Sequence, residues 1–201
     1  MSYDIENKYK ILPRKSYEII RNCPKCGCKT NYINTNNFRV NANGKALDVW
    51  LIYQCEKCRH TYNLTIYERV KMSCINKQEY DKFIRNDFNL AFEYGTRKEI
   101  FLRNNAVIDE DKIIYDILFK DKLGKCVSDK EMIMIIDNPY ELKIRVDKVL
   151  SEIINVSRNK VKDMIKKKVI RSKEYNNLEK SHVGKLMKIE LSTIVWINNK
   201  I

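Results

Sequence analysis

Apolar and polar residues alternate along the first third of the chain, which predicts β-strands. A first strand-like run covers residues 31–40, and the sequence Asn-Ala-Asn-Gly at residues 41–44 is a turn signal. A returning strand has apolar residues at every second position: Leu47, Val49, Leu51 and Tyr53. A third run repeats the pattern with Tyr62, Leu64 and Ile66. The pattern therefore predicts a β-hairpin followed by a third strand.

The period of the apolar residues changes after Asn76. They now recur every three or four positions, at Tyr80, Phe83, Ile84, Phe88, Leu90 and Ala91. This spacing is typical of an amphipathic helix, and we expect one over residues 77–94 that ends at Gly95. Thr96, with Glu99 three positions later, forms a capping-box pattern. It predicts that Thr96 caps a short helix reaching Arg103.

Strand-like and helical runs also alternate in the second half of the chain. Residues 112–119 and 132–136 predict two strands of a hairpin, joined by a polar turn that contains Gly124. After the Asn-Pro break at residues 138–139, a helix opens near Arg145. A second helix should begin after Ser157, a residue type that caps helix N-termini. Short strands at residues 169–173 and 186–191 complete the pattern, with a turn at Gly184.

Two Cys-x-x-Cys pairs lie at the ends of the first hairpin, Cys23 with Cys26 and Cys55 with Cys58. Each such turn points two thiolates at one centre, and the hairpin brings the two turns together. Four thiolates, each with its sulfur about 2.3 Å from the zinc ion, form a closed tetrahedral site. Such a site stabilises the fold and leaves no position open for catalysis. A redox Cys-x-x-Cys of the thioredoxin type would need a βαβ context, whereas the flanks here predict a hairpin. The pairs predict a zinc ribbon with one structural zinc ion.

Two other side chains could replace one of these ligands. Cys28 lies two residues after Cys26, although Gly27 already completes a Cys-Pro-Lys-Cys-Gly knuckle. His60 lies two residues after the last cysteine of the second pair. The same strands carry aromatic residues that either pack in the core or stack on nucleic-acid bases: Trp50, Tyr53, Tyr62 and Tyr67.

The pattern as a whole predicts an α+β fold in three segments. Residues 1–70 would form the zinc ribbon, with residues 1–20 as an extended lead-in that packs on it. Residues 71–140 would hold the middle helices and the second hairpin. Residues 141–201 would form a small α+β domain. The length of 201 residues is sufficient for two or three domains of this size.

Charge is distributed unevenly along these segments. The chain has 39 basic and 26 acidic residues, a net charge of +13. The last 61 residues hold 15 basic and 7 acidic residues, which is +8 of that total. The second helix of this segment places Arg158, Lys162 and Lys166 on one ridge, with Lys160 and Lys167 beside it. Like charges at this spacing disfavour a helix, so the ridge predicts a polyanionic partner, first nucleic acid and second an anionic membrane surface.

Other classes of function find little support in the sequence. The chain opens with a polar stretch, and no apolar run approaches the ~20 residues of a membrane helix. The remaining cysteines, Cys28, Cys74 and Cys126, are an odd number, which favours a reducing compartment, the cytoplasm. The two histidines, His60 and His182, are isolated from any nucleophile or paired carboxylates. We therefore expect a cytoplasmic protein that is not an enzyme and has no small-molecule substrate site.

The basic segment carries a recognisable set of motifs. They are Arg-x-Asp-Lys-x-Leu at residues 145–150, Ser-Arg at 157–158 and Val-Gly-x-x-Met-x-Ile at 183–189. Over Leu142–Leu191 the chain resembles the RNA-binding domain named after small-subunit ribosomal protein S-four. The resemblance implies an S-four-like fold that binds structured RNA through backbone contacts. The implied RNA contacts are Arg145, Lys148, Ser157, Arg158, Lys160, Lys162 and Lys166.

The sequence departs from that domain at two positions. Lys168 stands where a glycine usually ends the second helix, and Ser172-Lys173 replaces an Asn-Gly turn. The whole chain, with its cysteine pairs and the hairpin sequence Asn-Ala-Asn-Gly-Lys-x-Leu-Asp-Val-Trp, is also similar to an uncharacterised bacterial family, domain-of-unknown-function family 1062. That similarity implies no activity.

The leading functional hypothesis is a non-enzymatic zinc-containing protein that binds ribosomal or transfer RNA, in translation or ribosome maintenance, with the ribosome as a further partner. A protein–protein adaptor is one alternative, and a DNA-binding or transcription-associated zinc-ribbon protein is another. The last alternative is an enzyme whose site lies within residues 71–140. Motifs and charge support RNA binding independently of each other.

Overall fold

The computed structural model describes residues 5–44, 46–123, 131–175 and 177–192, and it confirms the predicted α+β class. The strands are β1 (Ile5–Pro13), β2 (Ile19–Cys23), β3 (Cys28–Asn43), β4 (Ala46–Cys55), β5 (Thr61–Lys71), β6 (Val107–Ile108), β7 (Tyr115–Leu123), β8 (Glu131–Asp137), β9 (Ile170–Arg171) and β10 (Leu186–Ser192). The helices are α1 (Lys77–Ile84), α2 (Phe88–Tyr94), α3 (Lys98–Arg103), α4 (Val146–Ile154) and α5 (Arg158–Lys166). Single turns of 3-10 helix are Met72–Cys74, Glu110–Lys112 and Leu178–Lys180.

The chain folds into two compact units. The cysteine unit comprises Pro13–Ile114, and the basic unit comprises Met1–Leu12 with Tyr115–Ile201. These two units differ from the three consecutive segments predicted from the sequence, for two reasons. Strand β1 belongs to the same sheet as β8 and β10, far along the chain. Helices α1 and α2 pack on β3, and α3 packs on β5, so the first half of the expected middle segment joins the cysteine unit.

The cysteine unit is built on a five-stranded antiparallel sheet with the order β5-β4-β3-β2-β6. The predicted hairpin is its centre, because β3 and β4 pair from Tyr32 opposite Cys55 to the turn. Strand β5 is the predicted third strand and pairs along β4. A bulge between Asn34 and Phe38 interrupts the pairing of β3. The hairpin therefore returns the end of β4 to the start of β3, as the cysteine spacing requires.

Aromatic and aliphatic side chains fill the core of this unit. The largest fully buried ones are Tyr17, Tyr32, Tyr53, Phe83, Phe101, Ile19, Leu47, Leu51, Leu64 and Ile66. The hydroxyl group of Tyr53 donates a hydrogen bond to the backbone oxygen of Tyr17 at 3.1 Å. The sequence left open whether the aromatic residues of the strands pack in the core or stack on nucleic-acid bases. Tyr53 packs in the core, because its ring has no exposed surface on which a base could stack.

The helix expected over residues 77–94 is two helices, α1 and α2. Between them Asn86 has φ +54°, a left-handed conformation that asparagine tolerates better than most residues. Its Oδ1 accepts a hydrogen bond from the backbone N–H of Phe38 at 2.6 Å. Asp87 then caps α2 by accepting from the N–H of Leu90 at 2.8 Å. These hydrogen bonds outweigh the continuous apolar period.

The end of α2 at Gly95 is confirmed, but the capping box at Thr96 is wrong. The N-cap of α3 is Arg97, and its side chain makes no capping hydrogen bond. The Thr96 hydroxyl group instead donates to the backbone oxygens of Phe92 at 2.9 Å and Glu93 at 3.1 Å. Carbonyl groups in the last turn of a helix lack donors within that helix. The Thr96 hydroxyl group supplies a donor to two such carbonyl groups at the end of α2.

The basic unit is built on a mixed sheet with the order β7-β1-β8-β10-β9. Strand β1 runs parallel to β8, from Ile5 opposite Met132 to Lys10 opposite Asp137. Strand β10 pairs antiparallel with both β8 and β9. Residues 5–12 are thus not a lead-in on the cysteine-bearing sheet but an internal strand of the other unit.

The hairpin expected from residues 112–119 and 132–136 is wrong, although both strands exist as β7 and β8. Strand β1 lies between them in the sheet. Apolar alternation predicts a strand but carries no information on its neighbour, and here the neighbour comes from the start of the chain. The turn predicted at Gly124, and Cys126, lie outside the described residues.

Helices α4 and α5 pack against each other and contribute to the core of the basic unit. Their buried apolar side chains are Val146, Val149, Leu150, Ile154, Val161 and Met164. Asn155 ends α4 in a left-handed conformation, φ +54°. The predicted cap at Ser157 is confirmed, because its Oγ accepts from the N–H of Lys160 at 3.2 Å. The order helix, helix, short strand and long strand follows the prediction.

The C-terminus of α5 has the Schellman geometry that usually requires glycine. The N–H of Val169 donates to the oxygen of Met164 at 2.9 Å, and the N–H of Lys168 donates to the oxygen of Ile165 at 3.0 Å. Lys168 has φ +57°. A side chain with a Cβ atom is strained at this angle, so the lysine retains the glycine conformation at an energetic cost.

Replacing Lys168 with glycine should stabilise the basic unit by about 1 kcal/mol, because glycine adopts the left-handed conformation without strain. The midpoint of urea unfolding measures this change. The neighbouring Lys167→Gly variant is the matched control, since Lys167 has φ −78°. That variant should lose stability by up to ~1 kcal/mol. Equal destabilisation by both substitutions would contradict the assignment of strain to Lys168.

Candidate functional sites: a four-cysteine cluster and a basic helix pair

Four cysteine sulfur atoms meet at one end of the cysteine unit. The Sγ atoms of Cys23, Cys26, Cys55 and Cys58 all lie within 4.8 Å of one another. Cys23 and Cys58 are 3.4 Å apart, and Cys26 and Cys55 are 3.9 Å apart. A tetrahedron with metal–sulfur bonds of about 2.3 Å has sulfur–sulfur edges of about 3.8 Å. The cluster thus has the size and the donor set to hold one metal ion.

Two similar turns position these thiols. In the first, between β2 and β3, the N–H of Gly27 donates to the oxygen of Cys23 at 2.9 Å. In the second, between β4 and β5, the N–H of Arg59 donates to the oxygen of Cys55 at 3.0 Å. Gly27 and Arg59 both lie in the left-handed region, with φ +66° and +64°. The backbone N–H of Glu56 also donates to the oxygen of Asn31 at 2.9 Å, which attaches the second turn to β3.

Hydrogen bonds favour the thiolate form at two of the four positions. Burial opposes ionisation of Cys55, but hydrogen bonds from Thr30 and from the backbone of Cys58 and Lys57 prevail and lower the pKa of its thiol to about 6. Burial likewise opposes ionisation of Cys23. Its hydrogen bonds with Tyr32, nearby backbone amides and Cys58 prevail and lower its pKa.

The thiol of Cys26 is affected in the opposite sense. The hydrogen bond between Cys26 and Cys58, followed by burial and by the proximity of Cys23 and Cys55, raises the pKa of the Cys26 thiol to about 12. Four thiols this close therefore resist complete ionisation by themselves. A divalent cation at their centre would remove that resistance, since metal-bound thiols are deprotonated.

The two alternative ligands lie outside the cluster. Among the described residues, the cysteine group within metal-binding distance consists of the four predicted residues. Cys28 is exposed on β3, opposite Cys23. His60 places its Nδ1 atom 3.4 Å from the hydroxyl group of Tyr32. Neither residue is required to complete four-fold coordination.

The second candidate site centres on a buried carboxylate at the junction of α4 and α5. Asp147 has no exposed surface. Its Oδ1 accepts from Arg145 Nε at 3.0 Å, and its Oδ2 accepts from Arg158 Nη2 at 2.9 Å. The ammonium group of Lys162 lies 3.9 Å from Oδ2. One carboxylate thus holds three cationic side chains in place.

The charge of Asp147 is favoured despite its burial. Burial disfavours the carboxylate, but hydrogen bonds from Arg145 and Arg158 and their positive charges prevail and lower its pKa. The side chains of Arg145 and Arg158 remain 40% and 47% exposed. Because one negative charge faces three positive charges, the cluster keeps a positive balance at a surface that solvent reaches.

The seven side chains expected to contact RNA fall into several environments. Arg145, Arg158 and Lys162 surround Asp147. Lys148 lies 4.9 Å from the centre of the Tyr115 ring. Ser157 uses its hydroxyl group as the cap of α5, next to Lys160, and Lys166 is exposed on the last turn of that helix.

The environment of Asp147 changes the interpretation of the basic ridge. Arg158 and Lys162, which seemed to lack a counter-ion, share a buried one. Sequence reasoning included Asp147 only as a letter of the Arg-x-Asp-Lys-x-Leu motif. One feature of the sequence could have revealed this role. Asp147 is an acidic residue close to two basic ones, Arg145 and Lys148, at the start of a helix whose buried face is otherwise apolar.

The region that matches a known protein family contains residues of both candidate sites. Residues 40–176 match the family DUF1062, which is described as a protein of unknown function. The chain belongs to this family. The DUF1062 match includes Cys55 and Cys58, and it also includes both helices of the basic pair. No curated protein and no solved structure matches the chain.

Among the described residues, no helix has the length and apolar character needed to cross a lipid bilayer.

Proposed function

We propose that this protein is a non-enzymatic, zinc-containing RNA-binding protein of the cytoplasm. Helices α4 and α5 would bind structured ribosomal or transfer RNA, in translation or ribosome maintenance. The observation that carries the proposal is the cluster around Asp147. It presents two guanidinium groups that are fixed on one side by a buried carboxylate and exposed on the other.

Fixed guanidinium groups suit phosphate recognition. Each guanidinium has five donors, so a carboxylate occupies some of them and leaves others for a phosphate. A side chain already held in place also loses less conformational entropy on binding. Arg145 and Arg158 meet both conditions, because each donates to Asp147 while nearly half of its side chain remains exposed.

The surrounding charge favours the same partner. Residues 158–173 hold eight basic residues and a single acidic one, Asp163. Phosphate contacts of this kind supply most of the affinity for nucleic acid without reading its sequence. The resemblance to the S-four-type domain selects RNA among polyanions, and recognition by shape and backbone is usual for folded RNA.

The four-cysteine cluster supports zinc as its metal. Four thiolates in a closed tetrahedron are typical of structural zinc sites. Bound zinc would supply the positive charge that lets all four thiols ionise. The residues that would hold it are Cys23, Cys26, Cys55 and Cys58, and the two turns already aim their sulfur atoms inward. With four protein ligands, the site has no position for a substrate or a reactive water.

The RNA proposal predicts that Lys162→Gln/Lys166→Gln binds RNA more weakly. These lysines lie one helical turn apart on α5, and their removal leaves the Arg145 and Arg158 bonds to Asp147 intact. Losing two phosphate contacts should lower affinity for folded ribosomal or transfer RNA roughly tenfold at physiological salt. It should also reduce the log–log salt slope by about 1.4–1.8. Fluorescence anisotropy over a range of salt concentrations measures both quantities.

The matched control is Lys77→Gln/Lys82→Gln, which removes the same charge from exposed positions of α1. It should bind RNA as the natural protein does. Crosslinking and sequencing of bound nucleic acid from cells gives the identity of the RNA. If both double variants lose equal affinity, or if duplex DNA binds as tightly as folded RNA, the proposal is wrong.

A further inference from the structure

An arginine of the cysteine unit lines a cavity without an acidic partner. The cavity, of about 340 Å³, is bordered by Arg21, Tyr62, Asn104 and Asn105 with the adjoining residues of β2 and β6. We propose that it binds a phosphate group, with Arg21 as the principal ligand. This site is separate from the helix pair α4–α5 and goes beyond the function proposed above.

The position of Arg21 is fixed by aromatic rings. Its Cζ atom lies 3.5 Å from the centre of the Tyr62 ring and 5.6 Å from the centre of the Tyr32 ring. Tyr62 and Tyr32 contact each other edge to face, with centres 6.4 Å apart. A guanidinium stacked at this distance on a tyrosine is held in one plane. Arg21 is therefore oriented before any ligand arrives.

One hydrogen-bond donor of Arg21 lacks an acceptor in the described part of the chain. Its Nε atom is buried and has no hydrogen-bond partner there. No carboxylate lines the cavity. A buried donor without an acceptor is unfavourable, and guanidinium groups form strong charge-assisted hydrogen bonds with phosphate. A bound anion in the cavity is thus expected to compensate the charge of this guanidinium group.

The walls of the cavity supply rigidity and a second donor. The side chain of Asn104 accepts from the N–H of Thr65 at 2.8 Å and donates to the oxygen of Ile100 at 2.8 Å, so it is held in place. Asn105 has φ +51° and also lines the cavity. Its side-chain amide has no partner among the residues described, so it can donate to an anion beside Arg21.

The sheet edge adds to the same site. Strand β6 pairs with Ile19 and Ile20, so among the described residues β2 has no strand neighbour on that side from Arg21 onward. A positive group, a free amide and an unpaired strand edge are complementary to an oxyanion. The volume exceeds that of a phosphate ion, so the phosphate can belong to a larger molecule.

Titration of the full-length, metal-loaded protein with inorganic phosphate tests the site, with amide chemical shifts as the readout. We expect shifts at residues 19–21 and 104–106, and a dissociation constant at least tenfold weaker for Arg21→Gln. Arg21→Lys keeps the charge but loses the planar fork, and it should bind phosphate several-fold more weakly. The control Arg39→Gln, at an exposed arginine of β3, should bind as the natural protein does.

Additional ligands distinguish the sources of the phosphate. Adenosine monophosphate and a short single-stranded oligonucleotide test a phosphate monoester and a phosphodiester, and acetate tests a carboxylate. Tighter binding of either nucleotide than of inorganic phosphate would identify its class as the source. Equal binding of acetate and phosphate, unchanged binding by both Arg21 variants, or equal loss in Arg39→Gln would each overturn the proposal.

The result can be separated from the RNA proposal. Lys162→Gln/Lys166→Gln should bind inorganic phosphate at this cavity with unchanged affinity, because neither lysine lines it. A loss of phosphate binding in that variant would overturn the assignment to Arg21 while leaving the helix pair as an RNA surface.

Discussion

Cys55→Ser protein is expected to lose its metal ion and the fold of the cysteine unit. The substitution leaves three thiolates in a cluster whose four sulfur atoms lie within 4.8 Å of one another. Structural zinc sites contribute apparent free energies of about 10–16 kcal/mol, which is comparable to the whole stability of a typical domain of about 5–15 kcal/mol. Elemental analysis of the purified protein and near-ultraviolet circular dichroism of its buried tyrosines measure the two losses.

Cys28→Ser is the matched control for this experiment. It removes a thiol from the same strand, but Cys28 is exposed and lies outside the cluster. That variant should keep one metal ion per chain and the spectrum of the natural protein. A folded, metal-free Cys55→Ser protein would show that the cluster does not need a metal. Loss of metal in Cys28→Ser would show that Cys28 is a ligand.

Asp147→Asn should destabilise the basic helix pair by about 3 kcal/mol. Breaking a buried ion pair leaves its partners without compensation, and the usual cost is about 3–5 kcal/mol. The lower end applies because water reaches Arg145 and Arg158, which are 40% and 47% exposed. Urea unfolding at pH 7, followed by circular dichroism, measures the loss of stability.

The effect of Asp147→Asn should depend on pH. The folded-state pKa of Asp147 lies below its ordinary value, which is about 3.9 in an unfolded chain. Its contribution to stability is therefore complete above about pH 5 and is lost as pH falls through the folded-state pKa. The difference between the natural protein and the variant should shrink at low pH.

Asp163→Asn is the control, since Asp163 is an exposed carboxylate on the same helix pair. It should change stability by less than about 0.5 kcal/mol at any pH. If Asp147→Asn were equally mild at pH 7, the buried carboxylate would not be what fixes Arg145 and Arg158.

The features that could be predicted from sequence are those set by neighbouring residues. The first hairpin follows from apolar alternation around an Asn-Ala-Asn-Gly turn, and the cysteine spacing follows from the geometry of a single metal ion. The cap at Ser157 depends on one hydroxyl group and one N–H three residues away. Each of these needs only the local chain.

The features that were missed depend on distant residues. The break between α1 and α2 is held by a hydrogen bond from Phe38 to Asn86, 48 positions apart. The pairing of β1 with β8 depends on a partner that periodicity cannot identify. The role of Asp147 emerges only when Arg158, 11 positions later, folds back on it.

Strand β1 has a consequence for the synthesis of this protein. Ile5 and its partner Met132 are 127 positions apart, and the whole cysteine unit is translated between them. At roughly 5–20 residues per second, β1 is synthesised about 6–25 s before its partner β8. Exposed strands invite pairing with other chains, and charged side chains discourage it. Glu6, Lys8 and Lys10 alternate along β1, and their charges would protect the nascent chain during that wait.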